Sequence, residues 1–201
     1  MNRRPAIKTT KKEIIDYWKY KVDESDISVD WSDADVCCWR CGCEKKLERC
    51  HIVPYSLGGE DEPSNFVLLC KRCHGEGPNI NDKEFMWDWI KAYRVPFYET
   101  FWGILGKKEY YFIYGKSFHK DVLDVFSKTK IKGDSKKFFK IVNRFVDEAR
   151  KDASFHFAQP YSNTSTLAGV YRMALKNMAK HYKVKFPIEN REIKKSWYMG
   201  I

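Results

Sequence analysis

Residues 37–81, CCWRCGCEKKLERCHIVPYSLGGEDEPSNFVLLCKRCHGEGPNIN, decide how the rest of the chain is read. All seven cysteines fall here: Cys37, Cys38, Cys41, Cys43, Cys50, Cys70 and Cys73. An odd number crowded into one segment, with two C-x-x-C pairs among them, points to a metal rather than to disulfides. Cys38-Trp-Arg-Cys41 and Cys70-Lys-Arg-Cys73 each set two thiolates on a tight turn, and together they make the four-sulfur set that zinc favours. Such a closed set leaves no open position for water, so the expected zinc is structural. Cys37 and Cys43 read as buried free thiols beside the first turn.

Between the knuckles, Gly58-Gly59 separates two short apolar runs, His51-Ile-Val and Phe66-Val-Leu-Leu, which predicts a hairpin-like strand pair. Asn65 stands at the entry of the second run. His74 follows the second knuckle, where the chain turns helical. The order is strand, strand, helix, with His51, Asn65 and His74 at the three junctions.

The run Cys38–His74 resembles the zinc-containing HNH (ββα-metal) nucleases, through His51-Ile-Val-Pro54, then Gly58-Gly59, then Asn65-Phe-Val-Leu-Leu-Cys70-Lys-Arg-Cys73-His74. The similarity extends through Pro78-Asn79 and the 85–90 segment, and upstream into Val29-Asp30-Trp31. The resemblance implies a metal-dependent endonuclease that hydrolyses DNA phosphodiester bonds, of a site-specific, restriction or homing-like kind. It implies His51 as the general base that activates water, Asn65 as the residue tying the strands and orienting that base, and His74 as a ligand of a catalytic Mg²⁺ or Mn²⁺. The family's second ligand commonly precedes the base, and that residue here is Cys50. A thiolate is a poor ligand for Mg²⁺. Either a softer ion is used or another group assists His74: Glu48, Asn79, Asn81 and Asp82 are near in sequence, and Asn79 adjoins the place where some members carry a further histidine. The alternative is a zinc-stapled protein that grips nucleic acid without cutting it.

Outward from this segment, 9–21 reads as a helix capped by Thr9 or Thr10, and Val22–Asp35 as a solvated acidic loop or edge strand with six carboxylates and no Lys or Arg. Asn81 or Asp82 caps a helix running through Tyr93. Phe118–Lys128, Ser135–Lys151 and Thr166–Tyr182 carry apolar stripes at helical spacing. Glu109–Tyr114 fits a strand or a helical turn equally, and Lys132-Gly133-Asp134 reads as a turn. The predicted fold class is α+β, mostly α: an N-terminal helix and acidic linker at 1–36, the HNH module at 37–94, and a basic, mainly helical region at 95–201.

Charge is divided unequally. Of 37 Lys/Arg and 27 Asp/Glu, residues 1–106 carry 16 and 18, and residues 107–201 carry 21 and 9, giving −2 and +12. A basic half suits a polyanion, here double-stranded DNA, with Lys140 and Arg144 of one helix and Arg172 and Lys176 of another as the expected phosphate contacts. Such contacts give affinity without sequence information, and a homodimer would turn single nicks into double-strand breaks. No apolar run approaches the roughly 18–20 residues that span a bilayer, and the polar start, Met1-Asn-Arg-Arg-Pro5, gives the expectation of a cytoplasmic protein with no membrane partner.

Overall fold

The computed structural model describes residues 6–129, 131, 134–155, 159 and 161–189, so Lys132 and Gly133 of the expected turn lie outside it. The chain divides into two compact units, Met1–Phe101 and Trp102–Ile201.

In the first unit, α1 (Lys11–Trp18) begins in a capping box. Thr10 Oγ1 accepts from the Glu13 amide, and the Glu13 carboxylate accepts from the Thr10 amide. Strands β1 (Leu47–His51) and β2 (Phe66–Cys70) pair antiparallel, with His51 opposite Phe66 and Leu47 opposite Cys70. All five residues of β2 are buried. Two carbonyls along β2 are taken by groups outside the hairpin: Phe66 O accepts from Trp18 Nε1 at 2.8 Å, and Leu68 O from the Trp39 amide at 3.1 Å. Helices α2 (Lys71–Glu76) and α3 (Lys83–Lys91) follow. Asp82 caps α3 by accepting from the Glu84 and Phe85 amides.

The first strand ends at His51 instead of starting there. Beyond it the Ile52 amide donates to Asn65 O at 2.8 Å, and then the Asn65 side chain takes over from the ladder. Its Oδ1 accepts from the Val53 amide at 2.9 Å, while its Nδ2 donates to Val53 O at 3.0 Å and Glu60 O at 2.9 Å. A primary amide has the donor and acceptor of a peptide group, so it can replace one where the backbone leaves the sheet. Pro54, which has no N–H, then ends the pairing.

The acidic stretch also differs from a solvated loop. It forms two 3₁₀ turns, Glu24–Asp26 and Trp31–Asp33, around buried Ile27 and Val29. Ser28 ties it to the first knuckle, its amide donating to Trp39 O and its hydroxyl to Arg40 O. Asp26 pairs with Lys91 and Arg94 at the end of α3, and Asp33 accepts from Tyr98 Oη.

The second unit contains α5 (Phe118–Ser127), α6 (Ser135–Arg150), α7 (Thr164–His181) and α4 (Phe101–Tyr114) apart from its first residue. Residues 109–114 are the last turns of α4, not a strand. They are apolar almost all round, which hides the helical period. Ser117, Asp134 and Asn163 cap α5, α6 and α7, so α7 starts two residues before the apolar stripe predicts. It buries eight residues and is the helix against which α5 and α6 pack. Asp121 is wholly buried, accepts from Tyr110 Oη at 2.7 Å and pairs with Lys116 at 3.2 Å. No helix among the described residues is long and apolar enough to cross a membrane.

The turn after His51 leaves no room for a methyl group at Gly59, where a Cβ would stand 1.8 Å from Val53 O and 2.7 Å from Asn65 Nδ2. At Gly169 in α7 a Cβ meets nothing within 4 Å. Gly59→Ala is therefore expected to lower unfolding stability by ~1–3 kcal/mol in chemical denaturation. Gly169→Ala is expected to raise it by up to ~1 kcal/mol through helix propensity.

Candidate functional site

The knuckles are built by local turns. In the first, the Gly42 amide donates to Cys38 O at 2.8 Å, and Gly42 takes φ 64°, a conformation that favours glycine. In the second, Cys70 ends β2 and Cys73 lies in the first turn of α2. The Sγ atoms of Cys38, Cys41, Cys70 and Cys73 all lie within 4.8 Å of one another, and Cys41 and Cys70 are 3.9 Å apart. A tetrahedron with Zn–S bonds of about 2.3 Å has sulfur–sulfur edges of about 3.8 Å, so the donor set fits zinc. Burial pushes the Cys38 thiol well above its ordinary value, while hydrogen bonds from Cys38, Cys41 and Cys73 hold Cys70 well below. Cys37 and Cys43 are buried beside this cluster and outside it: Cys37 bridges to Glu44, and Cys43 Sγ donates to Cys41 O.

This frame carries α2 past β1. Residues 48 and 50 share one face of that strand, because side chains alternate. From that face Glu48 reaches α2, where its carboxylate meets His74 Nδ1 at 2.7 Å. Both side chains are about two-fifths exposed, so the pair is open to solvent. Cys50 is 4% exposed, its Sγ donates to His51 O, and burial pushes its thiol up to about 12. The Cys50 thiol is turned to the His51 carbonyl, and Glu48 is the side chain of this face that meets His74. Asn79 stands past the end of α2 and makes no hydrogen bond to either member of the pair. Asn81 and Asp82 precede α3, and the Asp82 carboxylate is engaged as its cap.

His51 ends β1 half-buried, its ring 4.5 Å from that of Phe66. Asn65 is 2% exposed and fixes the backbone that leaves His51. Residues 36–77, which hold the four cysteines, Glu48, His51, Asn65 and His74, match the family model of the HNH endonucleases. Over these residues the chain is similar to an HNH endonuclease domain. No curated protein and no solved structure matches it.

The four basic residues expected to contact phosphate lie in the helical unit. Lys140 and Lys176 are exposed, Arg144 lies 3.9 Å from Glu148, and the Arg172 guanidinium sits over the Phe186 ring. Of the residues around the HNH site, Glu48 is the one that sequence spacing underweighted. The signal was its i, i+2 relation to Cys50 on a strand.

Because a structural zinc supplies folding free energy outright, Cys70→Ser is expected to abolish zinc binding and the cooperative melting of the first unit. Metal content by mass spectrometry and near-UV circular dichroism check this. A folded Cys70→Ser protein that keeps its full zinc content contradicts it.

Proposed function

We propose that the HNH domain is catalytic and that the chain is a metal-dependent endonuclease hydrolysing phosphodiester bonds of double-stranded DNA. The observation that carries this reading is the contact between Glu48 and His74. A binding module has no need of an exposed carboxylate–imidazole pair, and this pair restores the hard donor set that a buried Cys50 does not provide.

In this reading His51 is the general base. Histidine's ordinary titration range leaves a neutral imidazole at physiological pH, able to accept the proton of a water attacking the scissile phosphate. Asn65 positions His51 through the backbone, by holding residue 53 on both its amide and its carbonyl. Glu48 and His74 offer one carboxylate oxygen and one imidazole nitrogen, a set suited to Mg²⁺ or Mn²⁺ that leaves further positions for water and phosphate. A divalent cation held there supplies Lewis-acid stabilisation of charge developing on the phosphate oxygens. Phosphate contacts away from the cut fall to the helical unit, whose lysines and arginines, among them Lys140, Arg144, Arg172 and Lys176, bring its net charge to +12. One active site per chain gives a nick, and a homodimer gives a double-strand break.

The test is nicking of supercoiled plasmid with Mg²⁺, Mn²⁺, Ni²⁺ or no metal. The wild type is expected to nick only with metal, His51→Ala to lose ~10²–10⁴-fold in rate, and Glu48→Ala to need more cation for half-maximal rate. Cys50→Ser is expected to keep its metal response. DNA binding without nicking under every metal sinks the enzyme reading and leaves a zinc-stapled binding protein.

A further inference from the structure

We propose that Arg40 and Arg72, one from each knuckle, form a cationic clamp that offsets the charge of the zinc tetrathiolate and so sets how tightly the metal is held. The two turns carry the same residue at the same place, Cys38-Trp39-Arg40-Cys41 and Cys70-Lys71-Arg72-Cys73. Both side chains are nearly buried, 6% and 10% exposed, where arginine is rarely found unless paired. They share one carboxylate: Glu76 Oε2 accepts from Arg40 at 2.9 Å, and Glu76 Oε1 lies 3.7 Å from Arg72 Nε. Arg40 also donates to Cys73 Sγ at 3.8 Å, and its guanidinium lies 3.9 Å from the Trp89 ring centroid and 4.9 Å from that of Phe101.

The charges show what this arrangement serves. Arg40 donates both to a sulfur of the set and to Glu76, a carboxylate it shares with Arg72, and its Nε is buried without a hydrogen-bond partner. An uncompensated buried cation is strongly destabilising. Zinc with four thiolates carries two surplus negative charges in the same place, also buried and equally costly alone. A guanidinium donating to Cys73 Sγ offsets part of that negative charge and gains a partner for itself. The arginines thus act on the metal through the sulfurs, and Glu76 works against them by reducing the positive charge they present. Because Glu76 also lies on α2 two residues from His74, the clamp fixes the helix that carries the exposed pair.

The inference rests on the tetrathiolate zinc and not on catalysis, so its test reads the metal. Zinc affinity is measured on the full chain by competition with a chromophoric chelator, and Co²⁺ substitution reports the sulfur-to-metal charge-transfer bands. Arg40→Met keeps the aliphatic stem and the aromatic contacts but removes the charge. It is expected to weaken zinc binding ~10–100-fold, the usual loss for an outer-shell partner, with the four-sulfur Co²⁺ spectrum unchanged. Arg40→Lys is expected to lose less. Glu76→Gln is expected to bind zinc at least as tightly as wild type. Should Arg40→Met fail to fold, Arg72→Met is read the same way. An Arg→Met variant within about twofold of wild type, or a Glu76→Gln variant weakened as much as Arg40→Met, overturns the proposal and leaves the arginines as packing alone.

Discussion

Four sulfurs from two turns, separated in sequence by residues 42–69, come together in the first unit as a buried set that fits zinc. A two-stranded hairpin is marginal at best in water, and α2 has six residues, too few to stand alone. Closing the tetrathiolate joins the start of the segment to the junction of β2 and α2, so His51, Asn65 and His74 are all set by one bond network. The surrounding parts act as supports for it. Ser28, between buried Ile27 and Val29, bonds to the Trp39 and Arg40 carbonyls of the knuckle, α1 docks its Trp18 on β2, and Lys91 and Arg94 pair with Asp26.

Much of this could be read from the residues. The knuckles, the strand–strand–helix order and the caps, narrowed to Thr9 or Thr10 and to Asn81 or Asp82, follow from local chemistry, in which thiolate spacing and first-turn acceptors act over a few residues; the structure uses Thr10 and Asp82. Three features were not legible, for three different reasons. The end of β1 depends on an amide side chain fourteen positions away that substitutes for a strand residue, and no periodicity reports that. Residues 109–114 are too uniformly apolar to show a period. The choice between Glu48 and Cys50 depends on which side chain is long enough to meet α2, because both lie on the same face of the strand. Sequence patterns report faces well and reach poorly.

The division of charge has a comparable logic. The first unit is close to neutral, with several of its carboxylates, Asp26 and Asp82 among them, tied into ion pairs or caps, while the helical unit holds the excess of cations. A polyanion is attracted to the second unit at long range, and that attraction weakens as salt rises. Keeping general attraction apart from the residues of the HNH site allows either to change without disturbing the other.

The two carbonyls of β2 occupied by Trp18 Nε1 and the Trp39 amide have a consequence for assembly. A short hairpin with a bare edge invites a third strand, from a peptide or from a second copy of the chain. On the β2 side that invitation is closed, by an indole from one direction and by the zinc knuckle from another. A strand added along this edge would have to displace the Trp18 indole and the Trp39 amide, or share the Phe66 and Leu68 carbonyls with them.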